Sequence, residues 1–284
     1  MKKIAVLALG TVLIGCGSDS KDSNEPTSPD NIAQLVRCSN QAEGGLCQDE
    51  YSGTAWSQVW HGEEEFRCTW GIYCFDDYQE APEVPALTRF VEGELIPVYF
   101  REKEDDRFTK AMDQIEDLVG FKMFNRMGVV DIHIPEYGAD TDVSHLPTEW
   151  GFILSQGTVG PSPIQFCVRG TVAAGPYINS ASSYIVSHSD FGIMRPALSY
   201  GANQNFSWIN LDSVEGARDD IRCSSTATQD VAIHEFGHAL GMRNHFDGFG
   251  VGPAWGKNAE RVLKTMYSKQ NPPGQPFDSL HIED

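Results

Sequence analysis

Basic residues are scarce in this chain. It holds 21 Lys and Arg against 40 Asp and Glu, a formal net charge of −19. Such a surface repels phosphates, which argues against nucleic acid and against direct electrostatic binding to an anionic membrane. Long apolar runs are also missing. The one extended run, Ile4 to Ile14, is too short to span a bilayer as a stable helix. Hydrophobic residues still make up 40% of the 284, which excludes a wholly disordered chain and is enough for one sizeable domain with additions.

That apolar run follows Lys2 and Lys3 and ends in Leu13-Ile14-Gly15-Cys16. The pattern reads as a targeting segment. Its last four residues resemble a bacterial lipobox, which implies a lipoprotein signal peptide over 1–15 and lipidation of Cys16. The alternative is a plain secretory signal cut near Gly17. The lipobox implies an exported protein, lipid-anchored in the bacterial cell envelope. Gly17 after the cysteine favours the outer membrane in a Gram-negative host. Residues 16–35 are rich in Ser, Asp, Asn and Pro and are expected to form a flexible tether. With Cys16 set aside, six of the seven cysteines remain, and an even count in an exported protein suggests up to three disulfides. Proximity favours Cys38–Cys47 and Cys68–Cys74, leaving Cys167–Cys223. Residues 36–80 carry four of them, with Trp56, Trp60, Trp70 and the acidic Glu63-Glu64-Glu65. This reads as a disulfide-stapled segment, serving as packing, pro-region or substrate-binding attachment.

The remainder, 86–284, reads as one α+β domain. Leu95 to Phe100 predicts a strand, with Pro97 at an edge or a strand start. Asp105 or Asp106 predicts a helix cap, Phe108, Met112, Ile115 and Val119 share a face, and Gly120 ends the helix. Val129 to Ile134 alternates as a second strand. Phe152–Leu154, Gln165–Val168 and Ser207–Leu211 are further strand candidates.

The chemistry concentrates in His234-Glu235-Phe236-Gly237-His238-Ala239-Leu240-Gly241-Met242-Arg243-Asn244-His245. On a helix, His234 and His238 leave one face about a turn apart. Two imidazoles so placed can share one Zn²⁺ at about 2.0–2.1 Å each. Glu235 then stands free of the metal and can act as a proton acceptor for water. Thr226-Ala227-Thr228-Gln229 predicts a capping box before the helix, and Gly241 a left-handed stop after it.

This stretch resembles the metzincin family of zinc endopeptidases, whose signature is H-E-x-x-H-x-x-G-x-x-H followed by a Met-turn. His-Glu-Phe-Gly-His-Ala-Leu-Gly is most similar to the matrixin branch. The third histidine of the signature falls at position 244, which is Asn244 here, and His245 stands one residue late. A one-residue insertion after Gly241 makes His245 the third ligand, with Asn244, Asp247 and Glu260 as alternatives. Lys264-Thr265-Met266-Tyr267-Ser268 is similar to the Met-turn, which implies Met266 as an apolar floor under the histidines. The resemblance implies a twisted mixed sheet backed by helices, an active-site helix and a short C-terminal subdomain. It implies Zn²⁺ as cofactor and a protein or peptide substrate, with Glu235 as catalytic base. Ca²⁺ is a further expectation, because matrixins carry structural ions in the region of His133, Asp140, Asp142 and His145, although the spacing here differs. The chain is expected to act as a monomer. No Pro-Arg-Cys-Gly latency motif is present. Two other functions stay open: a surface adhesin with a structural zinc site, and a metal hydrolase acting on a non-peptide amide.

Overall fold

Ile32, Leu35 and Val36 follow the i, i+3, i+4 spacing of a helix face. In the computed structural model they lie on helix α1 (Pro29–Gln41), with Ile32 and Val36 fully buried. The structure describes residues 29–41, 86–134, 141–156, 159–160, 166–173, 205–215, 227–242 and 245–283. The signal peptide, Cys16, Cys47, Cys68, Cys74, Cys223, Asp140 and Asn244 lie outside them. Helix α1 corrects the expected tether, which cannot extend to residue 35. The polar composition upstream hid three apolar positions that join the main core. Cys38, on α1, is disulfide-bonded.

The segment 86–90 then runs beside 274–276, with Leu87 N–H donating to the Gln275 carbonyl at 2.8 Å. Strand β1 (Ile96–Arg101) follows, and Pro97 sits near its start, where a missing N–H is tolerated. Helix α2 (Asp106–Val119) is bounded as its residues dictate. The Asp105 carboxylate accepts the Arg107 N–H, and Gly120 closes the helix at φ +79°. Strand β2 (Phe124–Val130) begins five residues earlier than the alternation at 129–134 predicts. Val130, Ile132 and Ile134 do turn inward, but only Val130 is paired strand, while Ile132 and Ile134 pack beyond the end of β2.

Strands β3 (Trp150–Gln156), β4 (Val159–Gly160), β5 (Phe166–Ala173) and β6 (Asn205–Glu215) complete a mixed sheet. The order is β2-β1-β3-β6 in parallel, with β5 antiparallel to β6. The two-residue β4 pairs with β6 just beyond the end of β3. Alternation along the strands divides two cores. Val98, Phe100, Phe152, Leu154, Ile209 and Leu211 face the helices. Tyr99, Ile153, Phe206 and Trp208 face the opposite side.

Helix α3 (Gln229–Ala239) lies against α2 and β5. The short strands β7 (Phe246–Asp247) and β8 (Gly250–Val251) follow, then helix α4 (Lys257–Tyr267). Ala259, Val262, Leu263 and Met266 form the buried face of α4, at i, i+3, i+4 and i+7. Past α4 the buried Arg89 guanidinium donates to the carbonyls of Met266, Ser268 and Asn271 at 3.1, 2.8 and 2.9 Å. No helix among the described residues is long and apolar enough to cross a membrane.

Candidate metal centre

The start of α3 is held from outside rather than by its own cap. Thr228 is the cap residue and its side chain makes no capping bond, so the expected capping box is not formed. Instead the Arg107 guanidinium donates to the Ala227 carbonyl at 2.8 Å and pairs with Asp212 at 2.8 Å. The Asp212 carboxylate in turn accepts the Ala227 N–H. Phe236 anchors the inner face, edge-on to Phe108 and Phe124 at 6.1 and 5.4 Å between centroids. With that face buried in the core, the histidines have only the other side to occupy.

The end of α3 is the predicted left-handed stop. Gly241 has φ +105°. The Gly241 N–H donates to the His238 carbonyl at 3.0 Å, and the Met242 N–H to the Gly237 carbonyl at 2.9 Å. This pair of bonds is the Schellman arrangement. The chain then doubles back and returns at His245.

Three imidazoles converge there. His245 Nε2 lies 3.1 Å from His238 Nε2 and 3.2 Å from His234 Nε2. His234 Nδ1 donates to the Ala254 carbonyl at 2.9 Å, and His238 Nδ1 to the Met242 carbonyl at 2.6 Å. A carbonyl can only accept, so those protons sit on Nδ1 and the facing Nε2 atoms of both rings are bare lone pairs. A proton on His245 Nε2 can point at only one of the two, whereas a cation between the three nitrogens satisfies them all. An ion about 2.0–2.1 Å from each nitrogen, in tetrahedral geometry, sets nitrogens about 3.4 Å apart, close to what is seen. The donor set therefore fits a metal ion, and these three histidines can hold one. Among the described residues this is the only such group of three or more. Asp247 and Glu260 do not join it, and His133 and His145 are exposed elsewhere.

Burial sets the charges. In the metal-free protein it lowers His234 to about 3, with the neighbouring His245 adding to the effect. Burial also lowers His238 and His245. Neutral rings are the form that ligates metal. Burial raises the Glu235 carboxyl to about 8. Glu235 rests on strand β5 at Gly170. A Cβ at that position would meet Glu235 Oε1, Cγ and Cδ at 2.5, 2.7 and 2.8 Å. Only glycine lets the carboxylate lie there.

A phenylalanine ring packs against all three imidazoles. The Phe249 ring is fully buried, with its centroid 4.3, 4.8 and 5.9 Å from those of His234, His238 and His245. It lies over Gly237, where a Cβ would come within 2.8 Å of the ring. Gly250, at φ +76°, leaves room for the imidazoles, since a Cβ there would meet His245 Cδ2 at 2.3 Å. Met266 is buried in the last turn of α4 and does not lie in a turn. The helical spacing of 259, 262, 263 and 266 accounts for a helix standing where a turn is expected. Tyr267 is also buried, with its hydroxyl donating to the Leu240 carbonyl at 2.9 Å. The close run Gly248, Gly250, Gly252 hints that a ring or ligand packs tightly here. Gly170 carries no such local signal.

Comparison of the chain with family models, with curated proteins and with solved structures gave no match.

Proposed function

We propose that the protein is a zinc-dependent endopeptidase of metzincin type, acting on a protein or peptide substrate. The observation that carries the reading is the convergence of three Nε2 atoms, two of them from α3, a helix that also carries the buried Glu235 between those two histidines in sequence. His234, His238 and His245 hold the metal, and the Nδ1 bonds to Ala254 and Met242 keep two of the rings in the ligating tautomer. When bound, the metal supplies Lewis acidity: it polarises the scissile carbonyl and lowers the pKa of water toward about 7. Glu235 is the general base. A cation held by its neighbours on α3 favours the carboxylate over the neutral acid that burial alone prefers. Glu235 accepts the proton of the attacking water and passes it to the leaving amine.

The position of β5 supports an extended substrate. Among the described residues β5 is paired on one side only, with β6, and Gly170 on it touches Glu235. A peptide lying along such an edge gains backbone hydrogen bonds by strand addition. The leader over 1–15 and Cys16 support export and a lipid anchor.

A structural zinc site in an adhesin requires a fourth protein ligand, and among the described residues the group has three. The presence of Glu235 also favours catalysis. The test is cleavage of casein or a quenched peptide with and without chelator, with Glu235→Ala measured for metal content. Cleavage is expected to vanish with chelator and return with Zn²⁺. Glu235→Ala should keep its metal and lose turnover. Cleavage by that variant would overturn the mechanism, and a metal-loaded wild type without cleavage would favour the binding role.

A further inference from the structure

We propose that Asn40, on helix α1, is a positioning residue for the metal centre. The inference rests on the metal-site reading above. Three successive carbonyls, those of Leu240, Gly241 and Met242, form the turn between the second and third histidines. Each is received by a different buried donor. The Tyr267 hydroxyl takes Leu240 at 2.9 Å, Asn40 Nδ2 takes Gly241 at 3.1 Å, and His238 Nδ1 takes Met242 at 2.6 Å.

Asn40 is fully buried and its amide is used on both sides. Nδ2 donates a second bond to the Thr88 carbonyl at 2.8 Å, and Oδ1 accepts the Thr88 N–H at 2.8 Å. Only one orientation of the amide satisfies all three contacts, so the side chain cannot swing away from Gly241. Gly241 at φ +105° is the most pliant link in the turn. Asn40 fixes the peptide plane that follows it. The plane after that carries the Met242 carbonyl, which orients His238. Rotation at Gly241 therefore both loosens His238 and re-aims the chain toward His245. Asn40 lies 201 residues from Gly241, and its hydrogen bonds among the described residues go to Thr88 and Gly241, so it acts through the turn. A helix outside the expected peptidase segment thus belongs to the machinery of the site.

The test uses the full chain with Co²⁺ as probe. Affinity is read by competition with a chelator, ligand geometry by the visible absorption of bound Co²⁺, and fold by the melting temperature of the metal-free protein. Asn40→Ala and Tyr267→Phe are compared with Glu116→Gln, a destabilising change at the α2–β2 turn whose hydrogen bonds go to Lys122, Met123 and Phe124 and not to the 240–242 turn. Asn40→Ala and Tyr267→Phe are each expected to weaken Co²⁺ binding by about 10-fold and to alter its spectrum, the scale seen when supporting groups of a metal site are lost. Glu116→Gln should lower the melting temperature and leave Co²⁺ affinity unchanged. If Asn40→Ala fails to fold, Tyr267→Phe decides. Binding within twofold of wild type in the folded variants overturns the proposal, as does an equal loss in Glu116→Gln. Absence of Co²⁺ binding by the wild type removes the metal centre itself, a separate failure.

Discussion

Replacing Gly170 with alanine should separate metal binding from turnover. The added Cβ would stand 2.5 Å from Glu235 Oε1, 2.7 Å from Cγ and 2.8 Å from Cδ. Comfortable carbon contacts begin near about 3.5 Å, so something must move by roughly 1 Å. The strand is the stiffer partner, because Gly170 is in register with Leu211 on β6. Gly170 also lies outside the left-handed region, so alanine fits its backbone. The Glu235 side chain therefore gives way, while His234 and His238 keep their carbonyl partners. A general base works only within about 2.6–3.2 Å of the proton it takes. Misplacement by about 1 Å costs on the order of 10²-fold in rate. The expected result is a roughly 10²-fold lower kcat/KM on a quenched peptide, with one metal retained per chain and a melting temperature changed by only a few degrees. Cleavage within about threefold of wild type, or loss of metal together with activity, would refute the reasoning.

Gly250→Ala should do the reverse. Its Cβ would strike His245 Cδ2 at 2.3 Å and His234 Cε1 at 2.9 Å, from a backbone at φ +76° that alanine resists. Metal content measured after dialysis is expected to fall before the fold is lost. At the α2–β2 turn, burial of Glu116 opposes its charge, but hydrogen bonds from Lys122 and from the Phe124 and Met123 N–H groups outweigh it and hold the carboxyl below its ordinary value. A lowered folded pKa means a contribution present above the unfolded value, near about 4.3, and lost as pH falls through the folded one. The melting-temperature gap between wild type and Glu116→Gln should therefore be widest near neutral pH and close below pH 4.

Local signals proved the readable ones. Asp105 and Gly120 bound α2 because a cap acts on its own neighbours. Gly241 marks the exit of α3 for the same reason, and His245 follows as the third histidine of the cluster. Features set by distant contacts were not readable. The alternation at 129–134 reports burial on the outer face, while Gly128, at φ +92°, accompanies the register shift in the pairing of β1 with β2. The Thr226–Gln229 pattern is overridden by Arg107 and Asp212, which hold Ala227 from other elements. Met266 resembles a turn residue by its neighbours, yet its spacing from Ala259 assigns it to a helix face. Phe249 and Gly170 matter only through what lies across from them in space.

The pairing of 86–90 with 274–276, together with Arg89 locked onto the tail past α4, has a kinetic side. These two stretches lie on either side of the sheet and of α3 in sequence, so a partial product of synthesis that stops short of 274–276 cannot finish the core. A nascent chain that has reached His245 holds all three histidines but lacks Ala254, the partner of His234, and Tyr267, the partner of Leu240. Ordering of the three-histidine cluster therefore waits on chain made after the histidines themselves, at least as far as Tyr267.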